Sequence, residues 1–379
     1  DGRQRVEAGL EARRIALGQA VRIGTAELRA TVDDALARPV IAADLAAGRV
    51  AGGGQSLDTV SLRAAGPLDA LGVSLRAEGA QLGLAAEATI GRRDQDLRVV
   101  LESFEGRYRR ERVSLTQAAA LTFGGAGLAV DGLELALRRG LIALSGRYGE
   151  TADLRLQVTR LPLGLAALAA PELGLGGVLD GEARLSGSRS APQARFSFAA
   201  RGVRMAETEA AGIDPLDVML DGSWRNGRLE ARTGLTIPRG GELVVTAALA
   251  LPAGPGGVPE LRPDAAVEAT LDGQFDLALA NPLLAGGADE VGGTVDIGLR
   301  LGGTIEKPVG MGDVRLTEGT YRNSVNGTDI SGIEAVLTAE GDVIRLVSLD
   351  GFTPNGGTLS GQGTIRIDPA AGLPADFRL

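Results

Sequence analysis

The stretch Gly292–Pro308 decides the fold, and it reads GGTVDIGLRLGGTIEKP. Apolar and polar residues alternate along it, so every second side chain points to the same side of an extended chain. This alternation predicts a β-strand with one apolar and one polar face. The apolar face would carry Val295, Ile297, Leu299 and Leu301, and the polar face Thr294, Asp296, Arg300 and Gly302.

A second copy of this pattern lies 116 residues earlier. Gly176–Pro192 reads GGVLDGEARLSGSRSAP and shares Gly-Gly, Asp, Arg-Leu, Gly and Pro with the later stretch, without gaps. The same offset aligns a further group of residues, so we expect one structural unit to occur at least twice. That group is Pro238, Gly240, Gly241 and Leu243 in the first copy and Pro354, Gly356, Gly357 and Leu359 in the second.

The composition favours an extended sheet over a compact globule. Of 379 residues, 44% are apolar but only 3% are aromatic, and 57 are glycine. Compact cores use aromatic side chains for volume, whereas glycines on strand faces, such as Gly181, Gly298, Gly361 and Gly363, mark bulges and curvature. We therefore predict a mainly β fold: an elongated, curled antiparallel sheet forming an open trough, with an apolar concave groove and a few short helices.

Alternating segments separated by glycine-bearing turns predict antiparallel strands through most of the chain. Short helices are expected near residues 33–47 and at Pro162–Ala170. The Gly- and Pro-rich loop Pro252–Pro263 is the best linker candidate. The organisation that we predict is a trough segment at 1–100, a second at 101–175, β repeat A at 176–260 and a truncated β repeat B at 261–379.

Charge and residue types exclude several functional classes. The net charge is −9 and Lys307 is the only lysine, whereas nucleic-acid binding needs a basic stripe and aromatic platforms. The chain has neither Cys nor His, which excludes Ser-His-Asp and Cys-His nucleophiles, thiolate metal sites and disulfides. We expect no enzymatic activity, no metal and no cofactor, and a hydrolase is the least favoured class.

Two kinds of residue have competing interpretations. Asp180 and Asp296 occupy equivalent repeat positions, each with an arginine four residues later. A catalytic carboxylate is one interpretation, but solvated charges on the polar face of a strand are favoured. Trp224, Tyr148 and Tyr321 are ligand contacts or packing residues, and packing is favoured.

The repeated apolar face is the strongest candidate site. An ordinary sandwich core is the alternative, but few aromatics and many glycines leave too little side-chain volume to fill a wide interior. An underfilled apolar groove suits an acyl chain. The residues predicted to line it are Leu179, Leu185, Val295, Ile297, Leu299, Leu301, Leu359, Ile365 and Ile367.

The chain has no apolar run near the roughly 20 residues that span a bilayer as a helix. It starts at Asp1 without Met and ends at Leu379 within a strand pattern. We therefore expect it to be part of a longer protein, so an absent targeting segment carries little weight.

Three ordered sets of motifs carry a resemblance to a known family. The first lies in Ser103–Leu135 (SFEGRY, VSL, DGLEL), the second in Leu161–Pro192 (LPL, GS, P), and the third in Gly292–Gly361 (GG, T, P, EGTY, GGTLSG). Each motif is ordinary strand and turn sequence, but the ordered set covers nearly the whole chain. On these residues the chain resembles the TamB family, the inner-membrane component of the translocation and assembly module, within the AsmA-like group of bridge-like lipid-transfer proteins.

The resemblance implies a long β-trough, apolar inside, in the periplasm of a Gram-negative bacterium. It implies an inner-membrane anchor N-terminal to this chain and an outer-membrane barrel partner of the TamA type. The functions implied are phospholipid transfer between the membranes and assistance in assembling outer-membrane β-barrel proteins. The family supplies no catalytic residues.

The sequence is compatible with three functions. The favoured hypothesis is a non-enzymatic periplasmic conduit that moves phospholipid between the inner and outer membranes along the apolar groove. The alternative is a chaperone or scaffold for outer-membrane β-barrel (autotransporter) assembly, whose open sheet edges would pair with unfolded strands. A structural or adhesive β-solenoid is the third, although it would favour tighter repeats than 116 residues.

Overall fold

The computed structural model of the chain confirms a mainly β fold. Strands make up 80% of it, and the described residues contain no α-helix. The strand pairings are antiparallel, as the alternating pattern predicts. The structure describes residues 4–17, 21–35, 38–52, 55–93, 95–109, 111–168, 174–205, 214–238, 240–254, 257–284, 288–366 and 375–378.

The chain divides into two compact units. The first comprises Asp1–Leu161 with Glu182–Arg189, and the second comprises Pro162–Gly181 with Ser190–Leu379. The segment boundary predicted at residue 100 falls inside a strand of the first unit. The loop Pro252–Pro263 lies wholly within the second unit, so it does not link the two units.

The described residues of the first unit form twelve strands and the later part of a thirteenth. They are β1 (Arg5–Leu17), β2 (Val21–Asp33), β3 (Val40–Gly52), β4 (Gln55–Pro67), β5 (Leu71–Glu78), β6 (Leu82–Arg93), β7 (Asp96–Tyr108), β8 (Glu111–Leu115), β9 (Ala119–Gly124), β10 (Gly127–Leu137), β11 (Gly140–Tyr148), β12 (Thr151–Pro162) and β13 (Gly176–Ser188).

Consecutive strands of the first unit pair from β1 to β7. The short strands β8 and β9 together occupy one strand position between β7 and β10, because each of them pairs with both β7 and β10. The break lies at Thr116, whose N–H donates to the carbonyl of Glu134 (3.0 Å) and whose hydroxyl contacts the Glu134 carboxylate (2.9 Å). The order continues through β11 to β12.

Within its described residues, the second unit contains the start of β13 and eleven further strands, which pair consecutively from β14 onward. They are β14 (Ala191–Arg204), β15 (Leu216–Arg225), β16 (Arg228–Ile237), β17 (Gly241–Ala250), β18 (Val267–Asp276), β19 (Asp289–Gly303), β20 (Pro308–Asn323), β21 (Thr328–Gly341), β22 (Val343–Phe352), β23 (Thr358–Arg366) and β24 (Ala375–Arg378).

The described residues of the second unit include short 3₁₀ helices at Leu163–Leu168 and Leu277–Leu283. The Asp276 carboxylate caps the later helix by accepting a hydrogen bond from the N–H of Ala278 (2.8 Å). The side-chain amide of Asn281 bonds both the N–H (2.6 Å) and the carbonyl (2.9 Å) of Val291. These bonds attach the helix to the start of β19.

Three pairs of positions in the repeat predicted from the sequence have matching backbone conformations. Positive φ is uncommon outside glycine, so its recurrence at one offset marks the same bulges and turns in both copies. The matched pairs are Gly177 (112°) with Gly293 (119°), Gly187 (100°) with Gly303 (91°), and Gly202 (60°) with Glu318 (51°).

The short helix predicted near residues 33–47 is wrong, because β3 occupies Val40–Gly52. Ala and Leu favour helices, but here the apolar residues alternate and β3 pairs with β2 and β4 on its two sides. Tertiary pairing therefore overrides helix propensity. The other candidate, Pro162–Ala170, contains the 3₁₀ helix Leu163–Leu168, and its last two residues lie outside the described residues.

One interruption of strict alternation in the first unit lies at the same level in the four strands β1 to β4. Arg14, Gly24, Arg49 and Asp58 fall between the paired residues of β1 to β4 at this level. Arg14 and Arg49 each have a φ of 54°. Along β3 the half-buried positions change from odd to even numbers there. The shift keeps apolar side chains on one face on both sides of the interruption.

Side chains crowd on the apolar face of β3 more than on its other face. Ala43 and Ala47 on the apolar face are half-buried, whereas Ala42 and Ala46 are exposed. Because the residue type is the same, the difference reflects the surroundings, as it does where a sheet curves toward one face. The comparison therefore agrees with the curled sheet predicted from the sequence.

Few side chains are buried despite this crowding. The chain exposes 23588 Å² of surface, compared with about 14,000 Å² for a compact protein of 38.7 kDa. Among the described residues, no large side chain is fully buried. The sandwich core considered as an alternative would bury many.

Candidate functional site

Four of the predicted groove residues share one face of β19. Val295 is 7% exposed and Leu301 is 40% exposed, with Ile297 and Leu299 half-buried between them. The face therefore becomes more open from the middle of the strand toward its end. Across β18 and β20, Val295 lies opposite Phe275 and Leu316, and Leu299 lies opposite Leu271 and Gly312.

The other predicted groove residues lie on two further strands. Leu179 and Leu185 are half-buried on β13, where Leu179 belongs to the second unit and Leu185 to the first. Leu359 and Ile365 are half-buried on β23 of the second unit. Ile367 lies outside the described residues.

One row of side chains shows how far the apolar face of the second unit extends. It crosses ten strands from β14 to β23, and every member is half-buried. Thr233 is its only polar member, so the face is continuous and uncharged along this row. The row consists of Phe198, Leu220, Thr233, Val245, Leu271, Leu299, Gly312, Ala339, Ile344 and Ile365.

The first unit has a continuous apolar face of its own. One row crosses β1 to β7 and another joins β5 to β12, so residues 1–100 and 101–161 contribute to the same face. The first row is Leu10, Leu28, Leu45, Leu62, Leu75, Ala86 and Phe104. The second is Leu71, Ile90, Val99, Leu121, Val130, Gly146 and Leu154.

The repeated carboxylates belong to the polar face. Asp180 accepts a hydrogen bond from Arg201 (2.9 Å), and Asp296 accepts one from the amide of Gln274 (2.8 Å). Arg184 pairs with Asp153 at 3.1 Å. Each contact joins neighbouring strands, and pairs this exposed typically contribute at most about 1 kcal/mol. The geometry favours charged surface over a catalytic site.

Trp224 is a packing residue, as favoured from the sequence. It is 4% exposed, and its indole N–H donates to the carbonyl of Leu251 (2.7 Å). Tyr321 donates its hydroxyl to Asp289 (2.8 Å), and Asn323 donates its amide to the same carboxylate oxygen (2.6 Å). The hydrogen bond from Tyr321, then that from Asn323, lowers the pKa of Asp289, while the bond to Asp289 raises the pKa of Tyr321. This cluster holds β19 to β20.

Sequence reasoning missed two phenylalanines on the apolar face of β14. Phe196 and Phe198 stack with ring centroids 6.4 Å apart. Phe196 lies opposite Gly222 of β15, and Phe198 opposite Leu220. A phenylalanine paired with a glycine in the adjacent strand is a signal that could have found the first of them.

A shallow cleft of about 670 Å³ opens among β15 to β19 on the polar side of the second unit. Its lining includes two rows of outward-facing residues together with Leu301, which is one of the predicted groove residues. Leu301 is the one predicted groove residue that the cleft shares. The charged rim residues are Asp221, Glu230, Arg232, Glu268 and Arg300.

The described parts of the chain contain neither a cluster of metal ligands nor a membrane-spanning helix. Those residues contain no group of three or more Asp, Glu, His or Cys side chains placed to hold a metal ion. None of the helices within them has the length and apolar character needed to cross a membrane.

Comparisons with protein-family models, curated proteins and solved structures found no match to this chain.

Proposed function

We propose that this chain is a segment of a non-enzymatic conduit that carries phospholipid acyl chains along its apolar faces. The observation that carries the proposal is the apolar row of the second unit, which crosses ten strands and stays half-buried throughout. Apolar surface left in water costs about 25 cal/mol per Å². A face this extensive is therefore stabilised by an apolar ligand.

Acyl chains suit this face for two physical reasons. Each CH₂ removed from water contributes about 0.8 kcal/mol, so a chain of many methylenes binds without any specific polar contact. The attraction is also non-directional, so a chain can move from one strand to the next without breaking hydrogen bonds. Headgroups would remain in water.

The resemblance to the TamB family supports the wider setting of the proposal. On that basis the segment acts in the periplasm, carries phospholipid between the inner and outer membranes, and is held by an inner-membrane anchor outside this chain. An outer-membrane barrel protein of the TamA type would be its partner.

Mass spectrometry of the chain purified from a Gram-negative host tests the proposal. We expect phospholipid to co-purify and to be displaced by a competing fatty acid. A chain that carries no phospholipid and takes none from vesicles would overturn the conduit.

A scaffold for β-barrel assembly is the second candidate, and one observation favours it. Among the described residues, β1 pairs only with β2, and Val6 and Leu10 on it are 54% and 62% exposed. Unpaired backbone groups along a 13-residue strand can template another strand. Photo-crosslinkers placed along β1 should capture unfolded barrel proteins if this function holds, and crosslinkers at Leu299 should capture lipid if the conduit holds.

A further inference from the structure

The aromatic pair on β14 differs from the rest of the apolar face. Phe196 and Phe198 are both half-buried, their ring planes are 30° apart and their centroids 6.4 Å apart. Elsewhere in the described residues no two aromatic rings stack. The row that contains Phe198 is otherwise built from aliphatic residues, Thr and Gly.

Both rings lie over glycine backbone. A Cβ atom added to Gly222 would lie 2.4 Å from Cζ of Phe196, and one added to Gly181 would lie 2.3 Å from Cδ1 of Phe198. Phe196 therefore leans toward β15, and Phe198 leans the other way toward β13. Glycine backbone supports one side of each ring. The remaining ring surface accounts for the partial exposure of both residues.

The second copy of the repeat does not contain this arrangement. The counterparts of Phe196 and Phe198 are Gly312 and Val314, and the counterpart of Gly181 is Ile297, which lies opposite Val314. A Phe–Gly pair in one copy thus replaces a Val–Ile pair in the other. The fold accommodates either solution, so the rings are not required by the repeat.

We infer that Phe196 and Phe198 form the principal acyl-chain contact of the second unit, an inference that rests on the proposed conduit. Aromatic rings offer large apolar area, and stacking together with the glycine supports holds these two in place before a ligand arrives. Little side-chain entropy is then lost on binding, unlike at a flexible aliphatic residue. An acyl chain crossing from β15 to β13 passes over both rings.

Trp224 provides the test because it is the only tryptophan and lies on β15, two residues from Gly222. Vesicles of phosphatidylethanolamine and phosphatidylglycerol with brominated acyl chains are titrated against the whole chain, and quenching of Trp224 fluorescence is followed. We expect F196A/F198A to raise the lipid concentration at half-quenching on the order of tenfold. The matched variant S197A, at an exposed residue between the two rings on the polar face of the same strand, should leave it within about twofold.

Circular dichroism separates lost binding from lost folding. If F196A/F198A does not fold, F198L replaces it, because leucine keeps the apolar character but not the ring over Gly181. F198L should still raise the half-quenching concentration several-fold. Equal concentrations for the wild type and the Phe variants overturn this inference while leaving the conduit intact. Absence of quenching and of bound phospholipid in the wild type overturns both.

Discussion

Glu318 adopts a φ of 51° in β20, whereas its counterpart in the first copy, Gly202, adopts 60°. A non-glycine residue in this region is strained by roughly 1–2 kcal/mol. The same bulge is therefore formed by Gly202 in the first copy and by Glu318 in the second, and of the two only Glu318 is strained.

Glu318→Gly should raise the stability of the second unit by about 0.5–1 kcal/mol. Relief of the left-handed strain outweighs the extra chain entropy that glycine has when unfolded. The midpoint of urea unfolding measures the change. Glu340→Gly in β21 is the matched control, and it should destabilise by about 0.5–1 kcal/mol because its φ is not positive. Equal effects of both changes would contradict the strain argument.

Asp289 predicts a pH dependence on the acid side. Its pKa is lowered from 3.8 by hydrogen bonds from Tyr321 and then Asn323, so the folded state favours the charged form. The stabilisation is present above the unfolded pKa and is lost as pH falls through the lower folded pKa. Asp289→Asn should therefore be less stable than the wild type at pH 7, and the gap should narrow from about pH 4 downward.

Unfolding midpoints of wild type and Asp289→Asn, measured between pH 7 and pH 2, check this sign. Tyr321→Phe removes the hydroxyl donor and should likewise narrow its gap to the wild type in acid. A gap that stays constant with pH would show that the charge of Asp289 does not contribute.

The spacing between β13 and β14 depends on a glycine. A Cβ atom at Gly181 would lie 2.3 Å from the Phe198 ring and 2.5 Å from the carbonyl oxygen of Ser197. Gly181→Ala should cost about 1–3 kcal/mol, because backbone as well as a ring must move. Gly298→Ala is the matched control, since nothing lies within 4 Å of a Cβ there. It should be neutral or stabilise by about 0.4–1 kcal/mol.

Denaturation midpoints and circular dichroism measure both glycine variants. Equal destabilisation by Gly298→Ala and Gly181→Ala would contradict this prediction. The loss of a strand glycine would then explain both effects, without any contribution from close packing against Phe198.

Two turns between strands show how far the local sequence determines turn conformation. Asn226 and Gly227 have φ of 52° and 70° in a two-residue hairpin turn between β15 and β16, which is the conformation that Asn-Gly favours. The same dipeptide occurs at Asn326-Gly327, but in a longer turn in which Gly327 has a positive φ and Asn326 does not. There the side chain of Asn323 accepts hydrogen bonds from the N–H groups of Val325 and Asn326. These hydrogen bonds to the Asn323 side chain stabilise the longer turn in place of the two-residue turn that Asn-Gly favours.

At the scale of the molecule, two arginine substitutions on one face of β19 distinguish a groove from a core. Leu299 is half-buried and Val295 is 7% exposed. Leu299→Arg should remain folded, because a guanidinium on an uncovered face reaches water, but phospholipid binding should fall. Val295→Arg should destabilise by several kcal/mol, because a buried charge is left without a partner.

Urea midpoints report stability, and mass spectrometry reports the bound phospholipid of each folded variant. Equal and large destabilisation by both substitutions would indicate a closed core at Leu299. Unchanged phospholipid in folded Leu299→Arg would remove β19 from the proposed path.

Much of the fold was predictable from residue order. Alternation at Leu71–Leu75, Leu97–Leu101 and Leu133–Leu137 correctly predicted β5, β7 and β10, because a period of two places those side chains on one face. The apolar residues of β3 alternate in the same way, but their Ala and Leu content suggested a helix. The predicted groove residues that the structure describes lie on three strands, although β13 divides between the two units.

Residue order by itself determined the strands, their two faces and the 116-residue repeat, since these depend on side-chain period and on glycine at fixed positions. Only the tertiary structure decided where alternation shifts, as between β1 and β4, because a bulge is defined by the register with a neighbouring strand. It also decided that Phe196 and Phe198 rest on Gly222 and Gly181, residues far apart in sequence that strand pairing brings together. The tertiary structure also decided that the apolar face is only partly buried, because the exposure of a side chain depends on what packs above its strand.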